Sequence, residues 1–406
     1  MMALLNLGDL YVSDFVTSPN DYECRERYPL ALECDASNGA ARLTHAVDPD
    51  VMYGDRYWYN SGTNESMRQS LKDIVDEVED RIEFETGDIW LDIACNDGTL
   101  LAAVNDKFTR VGIDPVGCVG ARARGIYVDD YFSAGAYRLA TTRQAKVVTT
   151  IAMLYDLADP EPFIRDVYEI LADDGVWVVQ MSYTPLMLQQ LAFDNICHEH
   201  IYYYGLQSLE RLVTPLGFRV VDCSLNPTNG GSFRVTMQKR CAHEDSFGTA
   251  PVRDVCQYRL SSMADYEMLL DHRFGGVKRL WANFADRIEA LKADTVDFIR
   301  SERAKGKTIY GYGASTKGNT LLQYFGLDSD DITAIAERAP AKYGLYTVGS
   351  NIPILPEKEV RKANPDYMLV LPWHFIGGFV KREKEYLNGG GRFIVPCPRF
   401  EVISNG

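Results

Sequence analysis

The chain has 406 residues and a formal net charge of −15, with 46% hydrophobic and 24% charged residues. This length allows two or three domains, and the composition is that of an ordinary soluble globular protein. The acidic balance argues against a nucleic-acid-binding protein, which normally presents a basic face. No apolar run approaches the roughly 20 residues that span a bilayer, and the amino terminus lacks the features of a signal peptide. We therefore expect a cytoplasmic protein without a membrane segment.

The predicted elements begin with an irregular segment and continue with strand–helix alternation. The first sixty or so residues are rich in Asp, Asn, Pro and Tyr, and we expect them to be irregular. Apolar residues at helical spacing between Leu71 and Ile82 then predict a helix. Six strand-like runs follow, at Ile89–Ala94, Arg110–Asp114, Val147–Ile151, Val176–Met181, Phe218–Ser224 and Phe233–Gln238. No helix separates the last two, which predicts an antiparallel pair closing a parallel sheet, as in class I methyltransferases that use S-adenosylmethionine (SAM).

The rest of the chain predicts a helical connector and a second α/β domain. A new strand–loop–helix unit opens at Lys307–Gly313, and further strands are expected at Ile332–Glu337, Tyr367–Pro372 and Arg392–Pro396. The predicted fold class is therefore α/β, with a class I SAM methyltransferase Rossmann-like domain, a second C-terminal Rossmann-like α/β domain and a small N-terminal lobe. The expected boundaries are 1–65 for the lobe, 66–240 for the SAM-binding domain, 241–305 for the connector and 306–406 for the C-terminal domain.

The first candidate ligand site lies in the loop 94–98, after the first strand of the alternating region. Small residues at Ala94 and Gly98 allow close approach of a ligand, and a helix N-terminus at Thr99 favours a negative group. Asp114 ends the next strand, where a carboxylate can accept ribose hydroxyls. NAD and SAM sites share this pattern, but the loop lacks the G-x-G-x-x-G motif of NAD sites, which favours SAM. The expected cofactor-binding residues are Asp92, Ala94, Asn96, Asp97, Gly98, Asp114, Pro115 and Thr150. In the alternative interpretation, Asp97 and Asp114 are merely a helix cap and a turn residue.

Five other segments of the sequence are more distinctive than this loop. They are Tyr57–Ser61, Phe193–Tyr204, Asn229–Arg234, Ile309–Asn319 and Pro365–His374. Through these segments the sequence resembles the nucleotide-sugar C-methyltransferase family from about Pro29 to its C-terminus. The resemblance implies a small N-terminal zinc domain, a central SAM domain and a C-terminal Rossmann-like domain. It also implies methyl transfer from SAM to a ring carbon beside the ketone of a deoxy sugar attached to a nucleoside diphosphate.

The motif His198-Glu199-His200 suits the chemistry that the resemblance implies. A carbon beside a ketone must lose a proton, which a histidine can accept near neutral pH, and the developing enolate oxygen needs a donor or a cation. The resemblance makes His200 the base, Glu199 the residue that orients or polarises it and His198 a sugar-binding residue, and it places Tyr59 in the active site. A metal cluster and a helix cap are the alternatives. Adjacent positions rarely reach one ion and no third ligand is evident, so no metal is expected.

A second ligand site is expected where Gly311-Tyr-Gly-Ala-Ser-Thr-Lys-Gly318 joins a strand to a helix. Backbone amides and the side chains of this loop can bind a diphosphate, and the resemblance implies that this domain helps to hold the nucleotide sugar. The expected substrate-binding residues are Tyr57, Cys197, Tyr203, Asn229, Gly230, Ser232, Gly313, Ser315, Thr316, Lys317, Glu337, Trp373 and His374. The alternatives are a degenerate Rossmann domain kept for packing or dimer contacts, and an NAD site, which the loop's departure from G-x-G-x-x-G disfavours.

Three departures from the family pattern affect these expectations. Cys197 stands where the family often has tyrosine, and a thiol is a poorer donor than a phenol. Asn229 replaces a histidine before the Gly-Gly-Ser segment. The family's zinc is held by two CxxC pairs, whereas here Cys24 and Cys34 are isolated and Ser37 takes the place of the fourth thiolate, so zinc is not expected.

Four functions remain to be distinguished. The leading hypothesis is SAM-dependent C-methylation of a keto-deoxy sugar nucleotide by a monomer or homodimer that binds neither nucleic acid nor membrane. O- or N-methylation of a sugar would need no carbon acidity. An NAD-dependent nucleotide-sugar oxidoreductase or epimerase would use the C-terminal domain, and a catalytically silent binding protein would not need His200.

Overall fold

The computed structural model describes residues 2–19, 25–48, 51–52, 61–63, 65–115, 125–240 and 250–405. The N-terminal part of these residues forms strands and is not irregular. The strands are β1 (Met2–Tyr11), β2 (Phe15–Val16), β3 (Arg27–Cys34) and β4 (Ala41–Leu43). β1, β3 and β4 lie side by side in one antiparallel sheet. The prediction of irregular structure was wrong because register shifts at two places in β1 interrupt the two-residue alternation by which a strand is recognised.

The central region has the strand–helix alternation that the sequence predicts. Its elements are α1 (Glu65–Glu79), β5 (Ile89–Ile93), α2 (Thr99–Ala103), β6 (Thr109–Ile113), β7 (Ile126–Val128), α3 (Ala134–Ala140), β8 (Ala145–Ile151), α4 (Pro160–Ile170), β9 (Leu171–Ser182), α5 (Thr184–Gln189), β10 (Tyr202–Tyr203), α6 (Leu206–Val213), β11 (Phe218–Asn226) and β12 (Ser232–Lys239). Seven strands form one sheet in the order β11-β12-β9-β8-β5-β6-β7. β5 to β9 are parallel, and β11 and β12 are antiparallel, which confirms the predicted closing pair.

This order places β5 and β8 side by side at the centre of the sheet, where the direction of chain winding changes. Both faces are covered, as parallel strands require. Trp90 of β5 and Trp177 of β9 are completely buried. The Trp90 indole N–H donates to the hydroxyl of Thr149, and the Trp177 indole N–H donates to that of Thr150, both on β8. Ligands bind such open sheets outside the carboxyl ends of the strands at the switch point.

Two long helices connect this sheet to a second one. They are α7 (Ala250–Phe274) and α8 (Val277–Ala304), as the sequence predicts for the connector. The following elements are β13 (Ile309–Tyr312), α9 (Thr316–Phe325), β14 (Ile335–Glu337), β15 (Tyr346–Thr347), β16 (Ile354–Pro356), α10 (Glu357–Ala363), β17 (Tyr367–Val370), α11 (Ile376–Arg382), α12 (Lys384–Asn388), β18 (Arg392–Val395) and β19 (Glu401–Ile403). Six of these strands form a sheet in the order β16-β14-β13-β17-β18-β19, parallel except for β19.

The three parts of the chain are joined by strand pairing as well as by packing. β10, which follows the His-Glu-His motif, adds to the N-terminal sheet by pairing with β4. β2 of the N-terminal part pairs with β15 of the C-terminal region. The main chain of Ile201 donates to the Tyr155 carbonyl of the central region and accepts from the Leu43 amide of the N-terminal one. Residues 193–204 therefore lie at a junction of all three parts.

Across the described ranges, helices long and apolar enough to traverse a membrane are absent.

The carboxylate of Glu267 anchors the connector to the central region. It accepts hydrogen bonds from the backbone amides of Leu206 and Gln207, at 2.6 and 3.0 Å, and from the Tyr183 hydroxyl at 2.8 Å. We expect Glu267→Ala to lower the free energy of unfolding by about 1–3 kcal/mol, because it leaves buried donors unpaired at the start of α6. Met268→Ala is the matched control: its side chain is 56% exposed, and its replacement should change that free energy by less than about 0.5 kcal/mol. Chemical unfolding of both variants tests this, and an equal effect would contradict it.

Candidate active site

A cavity opens at the carboxyl ends of β5, β6, β8 and β9. Its lining contains Asp92, Ala94, Asn96, Asp114 and Pro115, which are five of the predicted cofactor-binding residues. It also contains apolar residues from the neighbouring loops and helices, among them Met67, Leu71, Leu100, Ile113, Phe132 and Met153. The cavity extends past Tyr155 and Asp156 to Ser182, Asn229 and Ser232 at its other end.

The backbone around this cavity is arranged for close approach of a ligand. Ala94 and Ala152 follow the adjacent strands β5 and β8, both line the cavity, and both have positive φ angles of 56° and 55°. Non-glycine residues rarely adopt this left-handed conformation, and such strain concentrates at functional sites. A methyl side chain at each position leaves the space in front of the backbone open.

Two carboxylates with different environments line the cavity. Asp114 accepts a hydrogen bond from the backbone amide of Asn96 at 2.8 Å, which places its carboxylate beside the loop, where ribose hydroxyls bind in related folds. Asp92 accepts a hydrogen bond from the Thr149 hydroxyl at 2.7 Å. Burial raises the pKa of Asp92 to about 7. Together these polar groups and the apolar walls fit an adenosine-containing cofactor.

Three predicted cofactor residues have structural roles instead of lining the cavity. Asp97 accepts from the amide and the hydroxyl of Thr99 and from the amide of Gly62 at 2.7 Å. It therefore binds the first residue of α2 and also holds residues 61–63 over the loop, a structural role close to the helix cap of the alternative interpretation. Gly98 is the residue before α2, with φ of 73°. The Thr150 hydroxyl accepts from the Trp177 indole.

The His-Glu-His segment presents its first histidine away from the other two residues. His198 is buried, its Nε2 lies 3.1 Å from the carbonyl oxygen of Tyr28, and its ring meets the Tyr28 ring edge-on. Burial lowers the pKa of His198. The structure thus packs His198 against Tyr28 of the N-terminal lobe, where it joins two parts of the chain, and it is not among the residues that line the cavity.

His200 lies beside the wall of the cavity. Its ring centroid is 4.3 Å from that of Tyr155, a cavity-lining residue. Its Nδ1 is 2.7 Å from the main-chain oxygen of Asn195. Burial, with the nearby Lys317 ammonium, lowers the pKa of His200 to about 3. The imidazole is therefore neutral at physiological pH and carries a nitrogen able to accept a proton.

Charged groups surround this imidazole. Burial raises the pKa of Glu199 to about 7, although Lys317 opposes the shift. Burial also lowers the pKa of Lys317, whereas the nearby Asp194, Cys197 and Glu199 favour its charged form. The Lys317 ammonium donates a hydrogen bond to the side-chain oxygen of Asn195. The sequence analysis assigned this lysine to a diphosphate. In the structure its side chain points toward Asn195 and lies near His200.

Asp156 is a candidate residue that the sequence analysis missed. It lines the cavity, and within the described residues its buried Oδ1 has no hydrogen-bond partner. Burial and the proximity of Glu199 raise the pKa of Asp156 well above its usual value, so it can act as a neutral donor. Its position shortly after the carboxyl end of β8, at the sheet edge where ligands bind, was the available signal.

Two polar side chains of the predicted diphosphate site have partners within the protein. The carboxylate of Glu337, expected to meet ribose or sugar hydroxyls, accepts from the backbone amides of Ala314, Arg338 and Ala339. The Ser315 hydroxyl accepts from the Gly318 amide as the cap of α9, which begins at Thr316.

Other parts of the chain cover this end of the second sheet. Asn319 of α9 donates to the Asp14 carbonyl at 2.8 Å, the Lys342 ammonium lies over the Phe15 ring, and Gly313, with φ of 82°, faces Pro372. These contacts lie beside the loop, whose residues Gly313 and Ser315 to Lys317 are partly exposed, and its assignment to a diphosphate stays a prediction.

Two substrate residues of the C-terminal domain also face inward. The Trp373 indole donates to the buried carboxylate of Asp194 at 2.9 Å, and burial together with Lys317 lowers the pKa of His374 to about 3. The backbone at Gly230 lies against both residues. The loop Asn229-Gly230-Gly231 has positive φ throughout, and Ser232 begins β12 at the end of the cavity. This group lies between the cavity and the second domain.

Cys197, Glu199 and His200 bring three potential metal-ligand atoms within 4.8 Å of one another. The sequence argument that no third ligand is evident was therefore wrong. The chemistry of the three residues nevertheless fits a cation poorly. Burial raises the pKa of the Cys197 thiol, which keeps it protonated, and the Lys317 ammonium beside the group would repel a metal ion. Tyr203, expected to line the substrate pocket, is buried near this thiol.

Some predicted residues lie outside the described ranges. These are Tyr57, Tyr59 and Cys24. Cys34 is partly exposed, and the Ser37 hydroxyl, in the position of the family's fourth thiolate, donates to the carboxylate of Asp35 at 2.5 Å. The absence of zinc stays a prediction.

The sheet order and the cavity define a class I methyltransferase fold, and comparison with known proteins agrees. The family described as "C-methyltransferase C-terminal domain" matches residues 227–398, and the family described as "Methyltransferase domain" matches residues 63–222. The chain is 33% identical over 370 residues to the C-methyltransferase NovU of Streptomyces niveus, covering 89% of this chain and 84% of that protein. The chain belongs to the SAM-dependent C-methyltransferase family.

Solved methyltransferase structures resemble the chain over a little under half its length. A SAM-dependent methyltransferase from Clostridium acetobutylicum is 14% identical with a TM-score of 0.34, covering 44% of this chain and 93% of that one. The magnesium protoporphyrin IX methyltransferase of Synechocystis is 11% identical with a TM-score of 0.35, covering 45% and 90% respectively.

The position of Asp114 predicts a specific effect on cofactor affinity. We expect Asp114→Ala to weaken SAM binding by about 10- to 100-fold, because it removes a charged acceptor from a site buried to 5% exposure. Asp106→Ala is the control, because the Asp106 side chain is 95% exposed and lies before β6, at the opposite end of the strand. Titration calorimetry measures both, and unchanged affinity for Asp114→Ala would exclude Asp114 from the cofactor site.

The low pKa of His200 predicts a pH-dependent effect on stability. An unfolded histidine titrates near 6.5, so the unfolded chain binds this proton before the folded one as the pH falls. The stability contributed by neutral His200 is therefore lost below about pH 6.5, by about 2 kcal/mol at pH 5 for a folded pKa of about 3. His200→Gln should gain this amount relative to wild type between pH 7 and pH 5.

Urea unfolding at the two pH values measures this difference, and the comparison with wild type cancels the titration of groups remote from His200. His272→Gln, at an exposed position of α7, should show no relative gain. A His200→Gln variant that parallels wild type across the range would show that His200 titrates normally.

Proposed function

We propose that the chain methylates a carbon beside the ketone of a deoxy sugar carried by a nucleoside diphosphate, with His200 as the base. One observation carries this proposal: a neutral imidazole, with one nitrogen engaged by a main-chain carbonyl at 2.7 Å, lies next to the wall of the SAM cavity. A sugar hydroxyl or amine is a nucleophile without loss of a C–H proton. A carbon becomes one only when a base removes that proton, and a neutral imidazole can accept it.

The surroundings of His200 support an enolate as the intermediate. Removal of the proton by His200 places negative charge on the former ketone oxygen, which needs a donor or a cation. Asp156 lines the cavity, and burial raises the pKa of its carboxyl, so its protonated form can supply such a donor. Glu199 can balance the imidazolium that forms when the proton arrives. SAM, when bound, supplies the electrophilic methyl group.

The nucleotide part of the acceptor rests on the resemblance to the family and on the placement of the remaining polar groups. Asn229 and Ser232 line the end of the cavity farthest from Asp114 and can bind sugar hydroxyls. In the loop 313–317, the Ser315 hydroxyl and the Lys317 ammonium have protein partners, so the proposed diphosphate site rests on the partly exposed backbone of that loop. A cytoplasmic location and a monomeric or homodimeric state stay predictions.

The test uses the full chain with a panel of keto-deoxy sugar nucleotides. In the presence of SAM we expect one of them to gain the mass of a methylene group, and without SAM to exchange deuterium from the solvent at the carbon beside the ketone. His200→Gln should reduce both rates by at least about 100-fold while SAM binding is retained. His272→Gln should leave both rates unchanged.

Other outcomes assign a different function. Methylation without deuterium exchange, and without dependence on His200, would indicate transfer to oxygen or nitrogen. Binding of SAM with no product from any member of the panel would exclude the substrate class while leaving the cofactor assignment intact.

A further inference from the structure

A chain of hydrogen bonds connects the C-terminal domain to His200. The Lys317 ammonium, in the first turn of α9, donates to the side-chain oxygen of Asn195. The main-chain oxygen of the same Asn195 lies 2.7 Å from Nδ1 of His200. One residue of the central region is thus held by the second domain through its side chain, and holds the imidazole through its main chain.

The second of these contacts determines the tautomer of His200. A main-chain carbonyl can only accept a hydrogen bond, so Nδ1 must carry the proton in the neutral imidazole. Nε2 then carries the lone pair, and it is the only ring nitrogen able to accept a proton from a substrate. A rotated or misplaced carbonyl would allow the other tautomer, in which Nε2 is protonated and cannot act as a base.

The orientation of Asn195 is fixed from both ends of its amide. Nδ2 donates to the carbonyl of Ala192 at 3.2 Å, and Oδ1 accepts from Lys317. The Ala192 carbonyl accepts and the ammonium donates, so the amide cannot be exchanged end for end without losing both bonds. Asn195 is 4% exposed, and loss of the lysine would leave its buried oxygen without this donor.

The adjacent residue is held in the same manner. Asp194 is 1% exposed and accepts from the indole N–H of Trp373, again from the C-terminal domain, at 2.9 Å. The Lys317 ammonium also favours the ionised form of the Asp194 carboxylate. Lys317 and Trp373 of the second domain therefore fix Asn195 and Asp194, two successive residues that precede the His-Glu-His motif.

We propose that Lys317 and Asn195 are positioning residues through which the C-terminal domain fixes His200 in the tautomer that serves as the base. This inference rests on the proposed role of His200. It assigns to Lys317 a function different from phosphate binding, and it makes the second domain a part of the catalytic machinery.

The experiment combines a spectroscopic and a kinetic measurement on the full-length protein. The chain has six histidines, and ¹⁵N labelling of their rings reports the tautomer of each; the signals of His200 are identified by their loss in His200→Gln. We expect wild-type His200 to be protonated at Nδ1. Lys317→Met should convert a substantial fraction to the Nε2-protonated form, and should slow deuterium exchange into the keto-sugar nucleotide by about 10- to 100-fold.

Lys342→Met is the matched control. Lys342 is another partly buried lysine of the C-terminal domain, and its ammonium donates to the Ala314 carbonyl at 2.7 Å. Its removal disturbs the same domain to a similar extent but should leave the His200 tautomer and the exchange rate unchanged. Lys317 is not among the residues that line the SAM cavity. Unchanged SAM affinity therefore verifies that each variant is folded.

The outcomes separate this inference from the proposed function. A wild-type His200 protonated at Nε2 would overturn the inference, and this measurement needs no variant. So would a Lys317→Met protein that binds SAM and retains both the tautomer and the exchange rate. Exchange that persists in His200→Gln would instead refute the proposed base, whatever the tautomer.

Discussion

The hydrogen bond between His200 and the Asn195 carbonyl requires all three parts of the chain to be in place. The histidine belongs to a segment whose next residue, Ile201, is bound on one side to Tyr155 and on the other to Leu43. The carbonyl belongs to a residue whose side chain is held by Lys317. A shift of either side by 1 Å would lengthen a 2.7 Å bond beyond useful strength. Strands of different parts pair with each other, β2 with β15 and β10 with β4. This pairing supplies the rigidity that such a short distance needs.

The same junction concentrates ionisable groups that would be unstable separately. Asp156, Asp194, Glu199 and Lys317 lie around one imidazole, and burial raises the pKa of each of the three acids. The Lys317 ammonium favours the ionised forms of Asp194 and Glu199. The same ammonium disfavours a positive charge on His200. Replacing any one group changes the charge state of the others, since an unpaired buried charge is strongly destabilising. The site therefore has to be understood as a coupled set, with a neutral histidine as its resting state.

The fold and part of this site could be predicted from the sequence, and the reason lies in the range of the interactions. The central strands and the loop 94–98 are signalled by residues next to one another, so their positions were predicted within a few residues. The cavity confirms that Ala94, Asn96 and Asp114 come together. The N-terminal strands were missed because register shifts disrupt their alternation. The direction of Lys317 was missed because its acceptor lies 122 residues away in sequence, and no local pattern contains that contact.

Glu337 illustrates the same limit from the opposite side. An acid at the end of the second strand of a Rossmann-like unit predicts a ribose ligand, and the local sequence is consistent with that role. In the folded chain, three backbone amides saturate this carboxylate instead. Asp114 occupies the equivalent position in the first sheet and still faces a cavity. The motif is the same in both domains, and only the surrounding loops decide whether the acid meets a ligand or the protein itself.

This difference between the two domains gives the second one a different use. Asp14 and Phe15 pack beside its ligand-binding edge, and Lys317 of its loop donates to Asn195 of the central region. The tight turn into α9 directs the Lys317 side chain out of the second domain and toward Asn195. On the proposed mechanism, docking of the C-terminal domain and preparation of the base are the same event. A central domain that folded alone would have the cavity and the histidine, but nothing to hold the carbonyl that selects which nitrogen of that histidine receives the proton.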